Sequence, residues 1–422
     1  MRRAMKCAKF KMVQWRSGAA KIGATLTALL ALNACGRTQS VEVLEAPIVD
    51  MQQGDPVGAD RTSLYIPLLK DKRVAVLTNQ SGMIGTTHVV DSLLSLNVNV
   101  VKVFAPEHGF RGDADAGEHV KDGKDLRTGL NVISLYGNNK KPKPDQLVDV
   151  DAILFDLQDV GARFYTYIST LHYVMEAAAE SKKQVIVLDR YNPNGFYVDG
   201  PVLDPAFSSF VGMHPVPIVH GMTMGEYARM INGEGWLNGG VVCALEVIAC
   251  ANYTHDKEFA PPIPPSPNLP NGASIWLYPS LCLFEGTIVS VGRGTEKPFQ
   301  CIGYPGCPVG LYHFTPRSMP GAKNPPFLGK ECTGLDLQEF GMIQARMDKQ
   351  LNLQWLVEMY NSAPDKAKFF NPFFDKLAGS SGLREQIISG AEEATIRASW
   401  QPGLEQFKKI RAKYLLYPDF AH

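Results

Sequence analysis

Ala152-Ile153-Leu154-Phe155, an amphipathic stretch over 167–181, and Val185-Ile186-Val187-Leu188 decide the fold. Each four-residue apolar run is short and unbroken by polar alternation, as expected of a strand covered on both faces. The segment between them has helical spacing, so the three pieces form a βαβ unit with parallel strands. Upstream the pattern recurs as Val74-Ala75-Val76-Leu77, a helix predicted over 86–96 with Val89, Val90, Leu93 and Leu94 on its apolar side, and a strand over 98–104. Downstream, Pro217-Ile218-Val219 reads as a strand, followed by a helix over 223–231 and a strand over 241–247. The prediction is an α/β fold, a Rossmann-like doubly wound parallel sheet occupying residues 61–260.

The run Pro261-Pro262-Ile263-Pro264-Pro265-Ser266-Pro267-Asn268-Leu269-Pro270 lacks backbone donors at its prolines and holds the chain extended, either as a domain junction or as a cleft-lining loop. Beyond it the alternation lapses. A helix over 276–283, a strand over 287–291, a mixed region over 335–349 and a helix-rich end over 385–416 predict a smaller α+β auxiliary domain at 261–422.

The first 34 residues carry seven basic and no acidic side chains, with an apolar stretch over 22–34 that ends at Cys35. That asymmetry predicts a signal peptide at 1–34, and the cysteine after a small-residue site predicts lipidation of Cys35. Residues 35–60 would then be a tether from lipid to fold, in an exported, membrane-anchored lipoprotein facing the periplasm. With those seven basic residues set apart, the remainder has a net charge of −7. No basic run offers itself to phosphates, so nucleic acid is not an expected partner. Six cysteines follow residue 35: Cys243, Cys250, Cys282, Cys301, Cys307 and Cys332. They lack paired metal-ligand spacing and read as small buried thiols, with a Cys301–Cys307 loop as the other possibility and no metal expected.

Ligands of an open parallel sheet collect at the carboxyl ends of its strands. The residues there are unusually polar: Thr78-Asn79-Gln80-Ser81-Gly82, Pro106-Glu107-His108-Gly109-Phe110-Arg111-Gly112, Asp156-Leu157-Gln158-Asp159-Val160-Gly161-Ala162-Arg163-Phe164-Tyr165, and Asp189-Arg190-Tyr191-Asn192-Pro193. The first turn has neither the glycine fingerprint of a dinucleotide site nor a P-loop, so no cofactor is expected. Carboxylates, amides, guanidinium groups and aromatic rings suit a carbohydrate cleft instead. Glu107, after an apolar strand and between Phe104 and Phe110, is the first acid/base candidate; Glu118, Asp156 and Asp159 compete for a second role. Asn79, Gln80, His108, Gln158, Arg190 and Asn192 are candidates for hydroxyl and amide contacts. Tyr165 and Tyr167 offer ring faces and phenols. Arg111, Arg163 and Arg293, the last in Gly292-Arg293-Gly294-Thr295, are candidates for a substrate carboxylate. Asp189, beside Arg190, reads as structural.

At these stretches, together with Leu77-Thr78-Asn79-Gln80-Ser81-Gly82 and Phe155 through Tyr167, the chain resembles the exo-β-N-acetylmuramidases of the NamZ type. The resemblance runs from about Leu64 to the carboxyl terminus. It implies a Rossmann-like domain joined to an auxiliary domain with the site in the cleft between them, and release of N-acetylmuramic acid from the non-reducing end of peptidoglycan-derived saccharides without a cofactor. Glu107 matches the glutamate of that family's Glu-His-Gly motif and takes its catalytic role by resemblance. A non-catalytic lipoprotein binding cell-wall sugars is the alternative, because a polar cleft does not require turnover.

Overall fold

The computed structural model describes residues 55–107, 109–110 and 122–420. Its first half is built on β1 Val74–Thr78, a hairpin of β2 Met83–Ile84 and β3 Thr87–His88, then β4 Val100–Ala105, β5 Gly123–Lys124, β6 Asn131–Ser134, β7 Ala152–Asp156, β8 Gln184–Leu188 and β9 Ala244–Ile248. Seven of these strands make one sheet in the order β5-β6-β4-β1-β7-β8-β9, parallel throughout except for the edge pair β5/β6. The chain runs outward from β1 to β4 and β6, then returns to place β7, β8 and β9 on the other side. Strand order therefore reverses at β1, where an open parallel sheet leaves a crevice for a ligand.

Both faces of the sheet are covered, as continuous apolar strands require. In β1, Ala75 and Leu77 point into the larger core while Val74 and Val76 point into the smaller one. The larger core lies under α3 Tyr167–Glu180 and α4 Met224–Gly233; the smaller packs beneath α1 Thr62–Leu69 and α2 Val89–Ser95. Burial of such side chains contributes roughly 1.5–3 kcal/mol each. Helix α4 starts where a capping box dictates: Thr223 accepts from the Glu226 amide, and the Glu226 carboxylate accepts from the Thr223 amide at 2.9 Å.

Several sequence expectations need correction. The helix expected over 86–96 begins at Val89, because Thr87 and His88 pair in the hairpin and the His88 ring accepts from the Val90 amide. Residues 217–219 are no strand; only Val219 makes bridges, to Ala162 and Asp199, and Pro217 has no N–H to give a ladder. Residues 287–291 likewise make only isolated bridges, Thr287 with Phe370 and Ser290 with Gly303. β6 went unread.

After α5 Gly272–Leu281 the chain builds a small antiparallel sheet of β10 Cys301–Tyr304, β11 Tyr312–Phe314 and β12 Cys332–Asp336, ordered β10-β12-β11, followed by short helices and the long helix Glu393–Arg411. The whole is α/β with a smaller part carrying its own sheet and helices. All six cysteines of the described residues are buried free thiols.

Candidate active site

A cleft of about 780 Å³ opens over the carboxyl edge of the sheet. One wall comes from the sheet side: Glu107 after β4, Tyr136 after β6, and Phe164 to Tyr167 leading into α3. The opposite wall comes from the proline segment and the chain beyond it, with Ser266, Asn268, Tyr278, Glu285, Arg293, Phe299 and Lys323 among its residues.

Glu107 is fixed from two directions. Thr166 Oγ1, at the start of α3, donates to Glu107 Oε2 at 2.8 Å, and the Tyr136 phenol also hydrogen-bonds the carboxylate. Burial, and then the nearby Glu107 charge, keep the Tyr136 phenol protonated above its ordinary range, so it acts as a donor. A carboxylate oriented by two hydroxyls at the rim of an aromatic cleft has the geometry expected of a proton-transfer group.

Beneath it lies a layer of committed polar groups. Asn79 Nδ2 donates to the Tyr167 hydroxyl at 2.6 Å, while its Oδ1 accepts from the Ser81 amide and hydroxyl. Gln80 Nε2 donates to the Pro264 carbonyl at 3.0 Å, and the Tyr165 hydroxyl donates to the Pro265 carbonyl at 2.8 Å. The proline segment is thus tied across the strand tips by its own carbonyls, since its prolines have no N–H to give. Tyr165 and Tyr167 meet edge to face at 4.8 Å, and Tyr165 meets Tyr278 of the far wall at 5.9 Å.

Four of the residues named from sequence, Glu107, Tyr165, Tyr167 and Arg293, line the cleft; eight others do not. Asp156 and Arg190 form a buried bidentate pair at 2.6 and 3.0 Å, which occupies both. Arg163 is fully buried and donates to the carbonyls of Pro201, Val216 and Leu377 at 2.7–2.8 Å, so it stitches the backbone together and does not face a ligand. Gln158 donates to the Asp159 and Tyr191 carbonyls. Asn192 donates to the Met222 carbonyl and packs against Gly161, whose φ of +76° and lack of a Cβ allow that contact. Asn79 and Gln80 hold the layer just described. Asp159 accepts from the Gly161 amide at 2.7 Å, and its other oxygen has no protein partner; burial pushes its pKa up to about 7, against the pull of the Gly161 and Val160 amides. Asp189 accepts from Thr223, Tyr417 and the Gly225 amide, consistent with the structural reading. His108, Arg111 and Glu118, like Cys35, lie outside the described residues.

Sequence reasoning missed Tyr136 and Glu285. Tyr136 follows β6 as Glu107 follows β4, so recognising Asn131–Ser134 as a strand would have exposed it. Glu285 sits in the turn after α5, an acidic residue amid apolar neighbours before Gly286. It accepts from Arg293 Nε at 2.7 Å. Among the described lining residues, the carboxylates are Glu107 and Glu285.

Comparison with known proteins fits this architecture. Residues 74–273 match the family described as exo-β-N-acetylmuramidase NamZ, N-terminal, and residues 276–417 match its C-terminal counterpart. The peptidoglycan β-N-acetylmuramidase NamZ of Bacillus subtilis (strain 168) is 38% identical over 372 residues, covering 84% of this chain and 89% of that protein. The crystal structure of one DUF1343 family protein from Bacteroides fragilis NCTC 9343 superposes with a TM-score of 0.81 at 47% identity, covering 87% of this chain and 99% of that one. A second from the same organism gives 0.73 at 30% identity, with 86% and 98% covered. Matches to both domains in order, and 38% identity along most of two chains, make this protein a member of the exo-β-N-acetylmuramidase NamZ family.

Proposed function

We propose that this protein is a glycoside hydrolase that removes N-acetylmuramic acid from the non-reducing end of peptidoglycan fragments, with Glu107 protonating the glycosidic oxygen. The observation that carries the reading is the placement of Glu107: a carboxylate held by Thr166 and Tyr136 at the mouth of an aromatic cleft, after the strand next to the point of strand-order reversal. The tyrosine and phenylalanine rings of the lining supply faces for a sugar. A second carboxylate completes glycoside hydrolysis, as nucleophile or as base for water. Asp156 is locked to Arg190 and Asp159 is enclosed, which leaves Glu285 in the described lining and Glu118 beyond it as the two candidates. The enzyme would work outside the cytoplasm, exported by residues 1–34 and tethered through an acylated Cys35 to a membrane facing the cell wall.

Purified protein incubated with a chromogenic N-acetylmuramic acid glycoside tests the reading. Release of chromophore is expected, with a fall of about 10²- to 10⁴-fold for Glu107→Gln at unchanged folding. Binding without release in the parent protein would identify a sugar receptor instead, and near-parental turnover in the variant would take Glu107 out of the reaction. Glu285→Gln and Glu118→Gln, assayed side by side, separate the two candidates: the second carboxylate is the one whose loss is partly rescued by azide.

A further inference from the structure

We infer that Arg293 is the residue that recognises the lactyl carboxylate distinguishing muramic acid from glucosamine, an inference that rests on the muramidase reading above. Arg293 gives Nε–H to Glu285 Oε1 at 2.7 Å and lies over the Phe299 ring with its central carbon 4.9 Å from the centroid. Its Nη1 is buried and finds no protein acceptor, and no protein hydrogen bond engages Nη2. A guanidinium fixed through Nε and one face, with its outer nitrogens unclaimed by the protein, is oriented for a planar, doubly accepting anion. Such a donor left without an acceptor is costly in a buried setting, so the site favours a ligand that supplies one.

The backbone makes this orientation rigid. Gly292 and Gly294 flank the arginine with φ of +77° and +79°; a Cβ on the first would fall 2.6 Å from Cys301 Sγ and on the second 2.5 Å from Pro325. The Gly294 carbonyl accepts from the Arg317 amide, and the Phe299 amide donates to Val291, closing the turn onto the aromatic ring under the guanidinium. Phe299 in turn meets Tyr278 edge to face at 5.0 Å, so the arginine stands on a pair of rings shared with the cleft. The other two arginines raised by the sequence do not compete among the described residues: Arg163 has its guanidinium on three carbonyls, and Arg111 falls outside them. Glu285 anchors Nε on the side away from the outer nitrogens.

The test compares two glycosides with the same chromophore, N-acetylmuramic acid and its lactyl methylamide, which keeps the bulk and removes the charge. The parent should favour the acid. Arg293→Met should lower kcat/KM for the acid by about 30-fold more than for the amide, and Arg293→Lys should recover part of the preference. A matched fall on both substrates would overturn the assignment and leave Arg293 with a role in holding Glu285 or the turn. Should the methionine variant fail to fold, the lysine variant decides: an acid-to-amide ratio equal to the parent's overturns it. If the parent hydrolyses neither glycoside, the muramidase reading fails separately. Calorimetric affinities of parent and Arg293→Lys for free N-acetylmuramic acid and its amide then decide Arg293 alone, with equal discrimination in both proteins overturning the inference.

Discussion

Arg163, buried behind the sheet-side wall of the cleft, and Arg293, lining the far wall, show how differently the two sides are built. On the sheet side, most polar groups behind the surface are tied to the fold, Arg163 through its outer nitrogens to three carbonyls, Asp156 to Arg190, Asn79 to Tyr167 and Ser81, while Arg163 Nε and one Asp159 oxygen are enclosed without a protein partner. Among the described residues, Glu107, Thr166 and the rings beside them reach the opening. On the far side, Arg293 keeps donors that nothing in the protein engages. In the proposed reaction the sheet edge presents the carboxylate of Glu107, and the loops beyond the proline segment present Arg293. This division follows from topology, because strand ends converge rigidly and need internal polar ties, whereas a loop held by glycine turns can hold a charged group ready for a ligand.

Substitutions should respect that division. The largest expected stability effect is at Arg163: Arg163→Met strips donors from three buried carbonyls and should cost about 3 kcal/mol or more. Urea unfolding of Arg163→Met beside Arg293→Met checks the contrast, since the second should lose far less stability; equal losses would erase the distinction between the walls.

Next comes Asp159, whose sign is set by burial. Its folded pKa is raised from 3.8 to about 7, so between those values the folded protein holds a proton that the unfolded chain releases. That penalty on the fold is absent near pH 4 and grows as pH rises to about 7. Asp159→Asn removes it, so the variant should gain stability relative to the parent between pH 4.5 and 7.5, by about 1–3 kcal/mol. A difference between the two proteins that does not change with pH would show that Asp159 is ionised in the folded state throughout.

The smallest effect is expected at Thr166. Thr166→Val removes one of the two hydroxyls orienting Glu107 and should lower kcat three- to tenfold, about 1 kcal/mol, with KM nearly unchanged. An unaltered kcat would mean that Tyr136 suffices to hold the carboxylate.

Much of the sheet wall was legible in the sequence because its physics is local. Val74–Leu77 and Ala152–Phe155 are apolar without interruption, and the residues following such strands must lie at one edge, which located Glu107 and Tyr165. Legibility failed where a residue's partner is remote. Nothing adjacent to Arg163 announces the carbonyls of Val216 and Leu377, 53 and 214 residues away, so its type suggested a ligand contact where the fold needed a tie. The short β6, with Asn131 and Ser134 at its ends, gave too little periodicity to be read, and Tyr136 was lost with it. The far wall is the least legible, because Thr287 and Ser290 make bridges and no strand ladder; glycine neighbours mark Arg293, whereas nothing local marks Glu285.

The central claim is that a muramic acid glycoside lies between these walls with its scissile oxygen at residue 107. A crystal structure of Glu107→Gln with an uncleaved N-acetylmuramic acid glycoside tests it most directly. The account predicts the glycosidic oxygen within about 2.6–3.2 Å of the glutamine side chain and the lactyl carboxylate on the outer nitrogens of Arg293. A sugar bound elsewhere on the protein, or one in the cleft with its anomeric centre turned away from residue 107, would contradict it.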